Sequence, residues 1–305
     1  MFTKTLTIAV VAAMATQVQA GDKCYALAFS SGDQSSSYQA GVLKGLAQSK
    51  GASETAYSAI SGVSGGAVNA SILSSFAVGS EAEAAERMIT FWQNSANTKL
   101  YKDWMGGVAE GLLLKGGLYN DAMLMDFLKT ELADVTPNQR WLDIGLTNVL
   151  NGTYQDFFAG DLVGDEFFDV MFGSFAYAGF FPPAESMGSD WFDGSTIWDL
   201  DIFSAVNKCL ETTAPEDVVV DVVMTSAKTL KQVDASGYHS ISMLWRFLEV
   251  SRYYSAMDGL LRAQFAYPTI DFRYIISPSS DLPDTYFPLV SATILTGIQL
   301  TNTLD

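Results

Sequence analysis

Residues 24–30 (Cys-Tyr-Ala-Leu-Ala-Phe-Ser) form a short, mostly apolar run ending in polar turn residues, the pattern of a buried strand. A polar stretch, 31–37, leads into 38–48, where Tyr38, Val42, Leu43 and Leu46 recur at helical spacing. A second strand is expected at 56–61 and a second helix at 65–76. Strand, loop, helix, strand, turn and helix in that order predict a parallel α/β sheet, because parallel neighbours need a crossover, usually a helix. Residues 81–93 are amphipathic and helical. Residues 104–117 are glycine-rich and predict irregular structure, and 121–132 predict a further helix. Residues 141–149 read as a strand closed by the turn Asn151-Gly152. The aromatic run 167–178 predicts a helix stopped by Gly179 and Pro182-Pro183. The valine-rich run 218–224 has the continuous apolar character of a strand buried on both faces. A long helix over 241–266, with Ile241, Leu244, Trp245 and Leu248 on one face, and a strand at 270–276 complete the pattern. No repeat, low-complexity tract or linker divides the chain, which reads as one domain.

Residues 1–20 have the make-up of a secretory signal: Lys4 in a positive n-region, a short apolar core over 6–15, and Val18-Gln19-Ala20 as a small-x-small cleavage site before Gly21. That core is too short to span a bilayer, and the apolar stretch 287–300 is broken by Ser291, Thr293, Thr296 and Gln299. The expectation is a mature chain, 21–305, that is secreted or resident in the secretory-pathway lumen and has no transmembrane span. Two cysteines, Cys24 and Cys209, remain in it. An even count in an oxidising compartment favours one disulfide, which would tie the first strand to the end of a helix. Their spacing fits no metal motif. Asn151-Gly152-Thr153 is a glycosylation sequon with turn character, whereas Asn69-Ala70-Ser71 falls in a helix where it would be unused. The chain carries 17 basic and 34 acidic residues, a net charge of −17 that becomes one unit more negative when Lys4 is removed. This balance argues against nucleic acid and against electrostatic docking on anionic membrane, and fits a solubility adaptation.

Candidate chemistry centres on Gly62-Val63-Ser64-Gly65-Gly66. Gly-x-Ser-x-Gly between a strand and a helix sets the serine on a tight turn with its hydroxyl presented, and the helix N-terminus offers N–H groups to an oxyanion. A serine hydroxyl needs a base, and the chain has one histidine, His239, in the polar turn Gly237-Tyr238-His239-Ser240. A capping or surface role fits His239 best. The scarcity of histidine directs the search to a carboxylate. Position also argues against the ordinary α/β-hydrolase fold, because only one strand is readable before Ser64.

Four ordered segments resemble the patatin-like phospholipases, acyl hydrolases with a Ser-Asp dyad. They are the first strand and loop followed by Tyr38-Gln39-Ala40-Gly41-Val42-Leu43, then Gly62-Val63-Ser64-Gly65-Gly66, then Gly179-Phe180-Phe181-Pro182-Pro183, and then Trp191-Phe192-Asp193-Gly194-Ser195. The resemblance spans residues 24 to about 200 and implies a three-layer α/β sandwich with a mostly parallel central sheet. It also implies Ser64 as nucleophile, Asp193 as its base, the amides of Gly32, Asp33 and Gly65 as oxyanion donors, no metal or cofactor, and a lipid ester substrate met at a membrane or micelle surface. The chain departs from the family at the oxyanion loop. Where the family has Gly-Gly-Gly-x-Arg/Lys-Gly, this chain has Ser31-Gly32-Asp33-Gln34-Ser35-Ser36, so Ser35 stands at the cation position and Asp33 at a glycine. The last small residue of the Asp-Gly-Gly/Ala motif is Ser195, a milder change. An Asp33 carboxylate aimed inward would oppose the developing oxyanion; aimed outward it would be harmless.

Three functions follow from these readings: a secreted acyl hydrolase, a catalytically silent patatin fold that stores or binds, and a Ser-His-Asp esterase using His239. The aromatic residues Trp245, Phe247, Tyr253 and Tyr254, and Phe172, Phe175, Phe180 and Phe181, are expected in core packing, with an acyl groove or, for the first group, an interfacial lid as the functional alternative.

Overall fold

A computed structural model describes residues 23–282. The leader read at 1–20 and the apolar stretch 287–300 lie outside the described residues. The first elements fall where the pattern puts them: β1 (Cys24–Phe29), a 3-10 turn (Asp33–Ser36), α1 (Ser37–Lys50), β2 (Tyr57–Val63), α2 (Gly65–Ser74) and α3 (Glu81–Ala96). The stretch expected to be irregular instead holds β3 (Lys102–Asp103), the two-turn helix α4 (Gly107–Leu114) and β4 (Tyr119–Asn120), with β3 and β4 paired antiparallel. Only Gly111 of α4 is buried, so no apolar period marks that helix in the sequence. There follow α5 (Ala122–Glu131), β5 (Trp141–Asn148), β6 (Tyr154–Phe158), α6 (Glu166–Phe175), β7 (Ala184–Ser186), β8 (Ser189–Asp193), α7 (Phe203–Leu210), β9 (Val218–Val223), α8 (Ser240–Ala266) and β10 (Asp271–Ile276).

The main sheet runs β10-β9-β1-β2-β5-β8-β7, with β6 also on β5. Strands β10, β9, β1, β2 and β5 are mutually parallel; β6 and β8 run antiparallel to β5, and β7 antiparallel to β8. Side chains of a strand alternate between faces. In β1, Leu27 and Phe29 accordingly join a core with α1, α2, α3, α5 and α6, while Ala26 and Ala28 join a second core with α7 and α8. Helices on both faces of a mostly parallel sheet make the expected three-layer α/β sandwich. Among the described residues, no helix is long and apolar enough to cross a membrane.

One acid interrupts the valine run of β9. Asp221 is fully buried, and its charge is met by Arg273 of β10 and by the Tyr57 hydroxyl, which donates to it at 2.5 Å. A buried carboxylate needs such partners.

Cys24 and Cys209 form a disulfide, with Cα atoms 5.7 Å apart, that joins β1 to α7 across 185 residues. Closing so long a loop removes much freedom from the unfolded chain. Cys24→Ala with Cys209→Ala should cost about 2–5 kcal/mol of stability. Urea unfolding of the two forms measures it, and a loss under about 0.5 kcal/mol would show that the bridge is thermodynamically idle.

Candidate active site

Strand register brings the central pair together. Val63, the last residue of β2, lies beside Gly145 of β5, and the next residue of β5, Leu146, lies beside Asp193 at the end of β8. Ser64, one residue past Val63, therefore meets Asp193 although 129 residues separate them. Its hydroxyl donates to Asp193 Oδ2 at 2.8 Å. The other carboxylate oxygen, Oδ1, accepts the Ser195 amide at 2.8 Å. Neither side chain has exposed surface.

Ser64 has φ 56° and ψ −128°, in a region that residues with a side chain rarely enter. Such strain persists only when the surroundings enforce it. Here the Ser64 amide donates to Ser174 Oγ at 2.8 Å, and that hydroxyl donates to the Gly145 carbonyl at 2.9 Å, tying the turn to α6 and β5. Close packing accounts for the motif's last glycine: a Cβ on Gly66 would collide with the Ser30 carbonyl at the end of β1.

Burial pushes the Asp193 carboxyl up to about 6; Arg252 pulls it down, Asp33 pushes it up, and the Ser195 amide and hydroxyl lower it. At neutral pH Asp193 is mostly ionised and only weakly solvated, which suits a general base.

The residues expected to donate to an oxyanion converge beside this pair. Gly65 is the first residue of α2, so its N–H has no partner inside the helix. Gly32 caps the 3-10 turn and Asp33 begins it, with Asp33 at φ 47°. The turn packs on Gly65, where a Cβ would lie 2.6 Å from the Asp33 carbonyl oxygen. Several side chains hold it there. Asn69 Nδ2 donates to the Ser36 carbonyl at 2.9 Å, Thr225 Oγ1 donates to the Ser31 carbonyl at 2.5 Å, and the Ser31 amide donates to the Asp199 carbonyl at 2.8 Å. The Asp33 carboxylate is half-exposed and paired with Arg252 of α8 at 3.3 Å.

The structure thus assembles Ser64, Asp193, Gly65, Gly32 and Asp33. His239 is exposed at the start of α8, and Ser64 gives its proton bond to Asp193, so the histidine reading fails on geometry. Asn69 is fully buried, bonded also to Gln39 Oε1 and to the Trp92 indole N–H, and holds the 31–36 turn through the Ser36 carbonyl. Asn151 is exposed in the turn between β5 and β6. Sequence reading missed Ser174, Asn69 and Arg252. The only signal for the first two is a polar residue amid small or aromatic neighbours on a buried helix.

A cavity of about 500 Å³ is walled on one side by residues 31–35. Helices α3 and α5 supply apolar walls such as Trp92 and Phe127, and α8 supplies Trp245 and Arg252. The aromatic stripe of α8 departs from the core packing expected of it: Trp245 is 45% exposed and Phe247 64%, because Ala256 and Ala263 are what α8 buries. Trp245 stacks at a tilt on Phe180 with ring centroids 5.3 Å apart, and both line the cavity.

A crystal structure of VipD from Legionella pneumophila is similar at 12% identity, with a TM-score of 0.46 over 92% of this chain and 66% of that one; this chain spans just under two thirds of VipD's length. No curated protein matches in sequence. The family model for patatin-like phospholipases matches residues 27–206, from β1 into α7, a stretch holding the serine turn, the oxyanion turn and the Asp-Gly motif. The chain belongs to the patatin-like phospholipase family.

Proposed function

We propose that this protein is a secreted hydrolase of lipid acyl esters that works through a Ser64–Asp193 dyad. The observation that carries the reading is the strained Ser64 turn with its hydroxyl donating directly to a buried carboxylate. Asp193 Oδ2 takes the Ser64 proton as Oγ bonds to the ester carbonyl carbon. The carbonyl oxygen becomes an oxyanion beside the amides of Gly65, Gly32 and Asp33. The tetrahedral adduct collapses, the C–O bond to the alcohol breaks, and Asp193 returns its proton to that alcohol. Water then attacks the acyl-enzyme, giving a proton to Asp193, and the collapse frees the fatty acid and restores the Ser64 hydroxyl.

Other features support lipid as the substrate. The cavity beside the turn has apolar walls from α3 and α5 suited to an acyl chain. Leu112, Leu113 and Leu114 of α4, and Met243, Leu244 and Phe247 of α8, are exposed, which suits contact with a lipid aggregate. The disulfide favours an oxidising compartment.

The test is labelling of the purified, leader-free protein with a fluorophosphonate, followed by mass spectrometry and release of fatty acid from phospholipid or galactolipid micelles. The reading predicts an adduct on Ser64, none on the Ser64→Ala variant, and fatty acid released by the first protein alone. A folded protein that neither labels nor releases fatty acid would instead be a silent patatin fold, the alternative favoured by the altered 31–36 turn and by the full burial of both dyad side chains.

A further inference from the structure

The 31–36 turn carries an acid, Asp33, and no cation. Two other carboxylates lie close to it: Asp199, whose backbone carbonyl accepts the Ser31 amide, and Asp193 itself. An oxyanion formed here, once Asp193 has taken the Ser64 proton, would still lie near two carboxylates, Asp33 and Asp199, with only the backbone amides of the turn to oppose them. The missing positive charge comes from a different part of the chain. Arg252, in the middle of α8 and 219 residues from Asp33, extends its guanidinium onto the turn. Its Nη1 donates to Asp33 Oδ2 at 3.3 Å and its Nη2 to Ser31 Oγ at 3.0 Å; the Ser31 hydroxyl in turn donates to Asp199 Oδ1, which lies 4.0 Å from Arg252 Nε. The guanidinium lies over the ring of Tyr177, 5.4 Å from its centre. Tyr177 follows Ala176, whose carbonyl accepts the Asp193 amide at 3.1 Å. One side chain thus touches both the oxyanion turn and the segment that holds the base.

We infer that Arg252 is a positioning residue of the acyl-transfer site: it clamps the Ser31-Gly32-Asp33 segment and supplies the positive charge the turn lacks. The inference rests on the acyl-hydrolase reading and adds a residue outside the matched family region to it. The planar guanidinium makes separate bonds to two residues of the turn while stacking on an aromatic ring, an arrangement a lysine does not reproduce. It also steadies Asp33 at a positive φ, the conformation that accompanies a side chain turned toward α8. The Asp33 side chain, a hazard if it pointed inward, becomes the handle by which α8 holds the turn.

The test uses the purified full-length mature protein and a soluble short-chain p-nitrophenyl ester, so that lipid docking does not enter. Arg252→Gln should lower kcat about 100-fold, the scale of losing one oxyanion donor, with KM changed much less. Placing a cation in the turn itself, Ser35→Arg in the Arg252→Gln background, should restore at least tenfold of that loss by the same scale, a rescue that lost packing on α8 would not give. The pH profile supplies an independent readout. The groups facing Asp193 are Ser64 from the β2–α2 turn, Ser195 after β8, Asp33 of the oxyanion turn, Tyr177 after α6 and Arg252 of α8. Loss of Arg252 should move the acid limb of kcat to higher pH, and Asp33→Asn should move it lower. Arg252→Lys keeps the charge but not the planar pair of bonds, and it serves if Arg252→Gln does not fold: it should lower kcat by about threefold or more and keep its acid limb near the wild-type position. An active wild type whose Arg252→Gln variant keeps kcat within about threefold, or loses kcat with neither rescue nor a moved acid limb, overturns this inference alone, as does an Arg252→Lys variant with undiminished kcat. A wild type inert to both ester and fluorophosphonate overturns the acyl-hydrolase reading and this inference with it.

Discussion

Asp193→Asn should lower turnover about 10⁴-fold, the scale found when a carboxylate essential to serine activation is made neutral. The amide keeps the size of the side chain and can still accept the Ser64 bond, but it takes no proton at working pH. Substrate binding should survive, because neither dyad side chain lines the cavity; the loss then falls on kcat rather than KM. The pH profile of the unmodified protein should point the same way. With the Asp193 carboxyl held near 6 by burial, the active form is the ionised one, so the rate should fall as pH drops through about 6 and level off above it. Stopped-flow or steady-state assays from pH 4.5 to 8.5 on a soluble ester measure both effects, with a melting curve to show that the variant is folded. More than a tenth of the original kcat in the Asp193→Asn protein would remove Asp193 as the base.

The largest loss of stability is expected at Arg140, which has no role in the chemistry. Arg140 and Glu81 form an ion pair whose side chains are 0% and 1% exposed. The guanidinium also donates to the carbonyls of Tyr57 at 2.8 Å, Phe76 at 2.9 Å and Ala77 at 2.6 Å. It thereby joins the start of β2, the connection between α2 and α3, and the entrance to β5. Arg140→Ala strands a buried Glu81 carboxylate, one oxygen of which already has no partner, along with three carbonyls. A cost of about 3–5 kcal/mol is expected. The double variant Arg140→Met with Glu81→Leu should lose less, since no charge is left behind, though the carbonyls remain unpaired. Urea titrations followed by fluorescence measure all three proteins, and a loss below 1 kcal/mol for Arg140→Ala would contradict the account. Activity should fall with stability here, because β5 sets the register that joins Ser64 to Asp193.

What the sequence discloses of this fold depends on burial. Strands β1, β2, β5 and β9 lie inside the sheet, and their apolar runs stand out; β10, at its edge, was legible too, because it keeps aromatic and β-branched residues. Strands β6, β7 and β8 are short, lie beyond β5 and are partly exposed, so their composition resembles that of loops, and the antiparallel end of the sheet went unread. Ser64 and Asp193 were legible because each sits in a compact local motif. Arg252 was not. Its role depends on where a helix near the other end of the chain packs, and in sequence it is one more charge on a helix with many. The aromatic residues of α8 misled for a related reason: an apolar stripe signals a covered face only when an element packs against all of it, and α8 meets the second core through alanines.

The order of the chain also governs when the site exists. Ser64 directly follows the second strand to be made, whereas Asp193, its proposed base, ends a strand completed 129 residues later that joins the rest of the sheet through β5. If Ser64 is the nucleophile, a growing polypeptide displays it long before its proton acceptor is made, and a fragment cut anywhere between the two keeps a serine without Asp193 beside it. On the dyad reading, esterolytic competence belongs to the finished domain, and the chain stays unarmed until the last strand of the pair has docked.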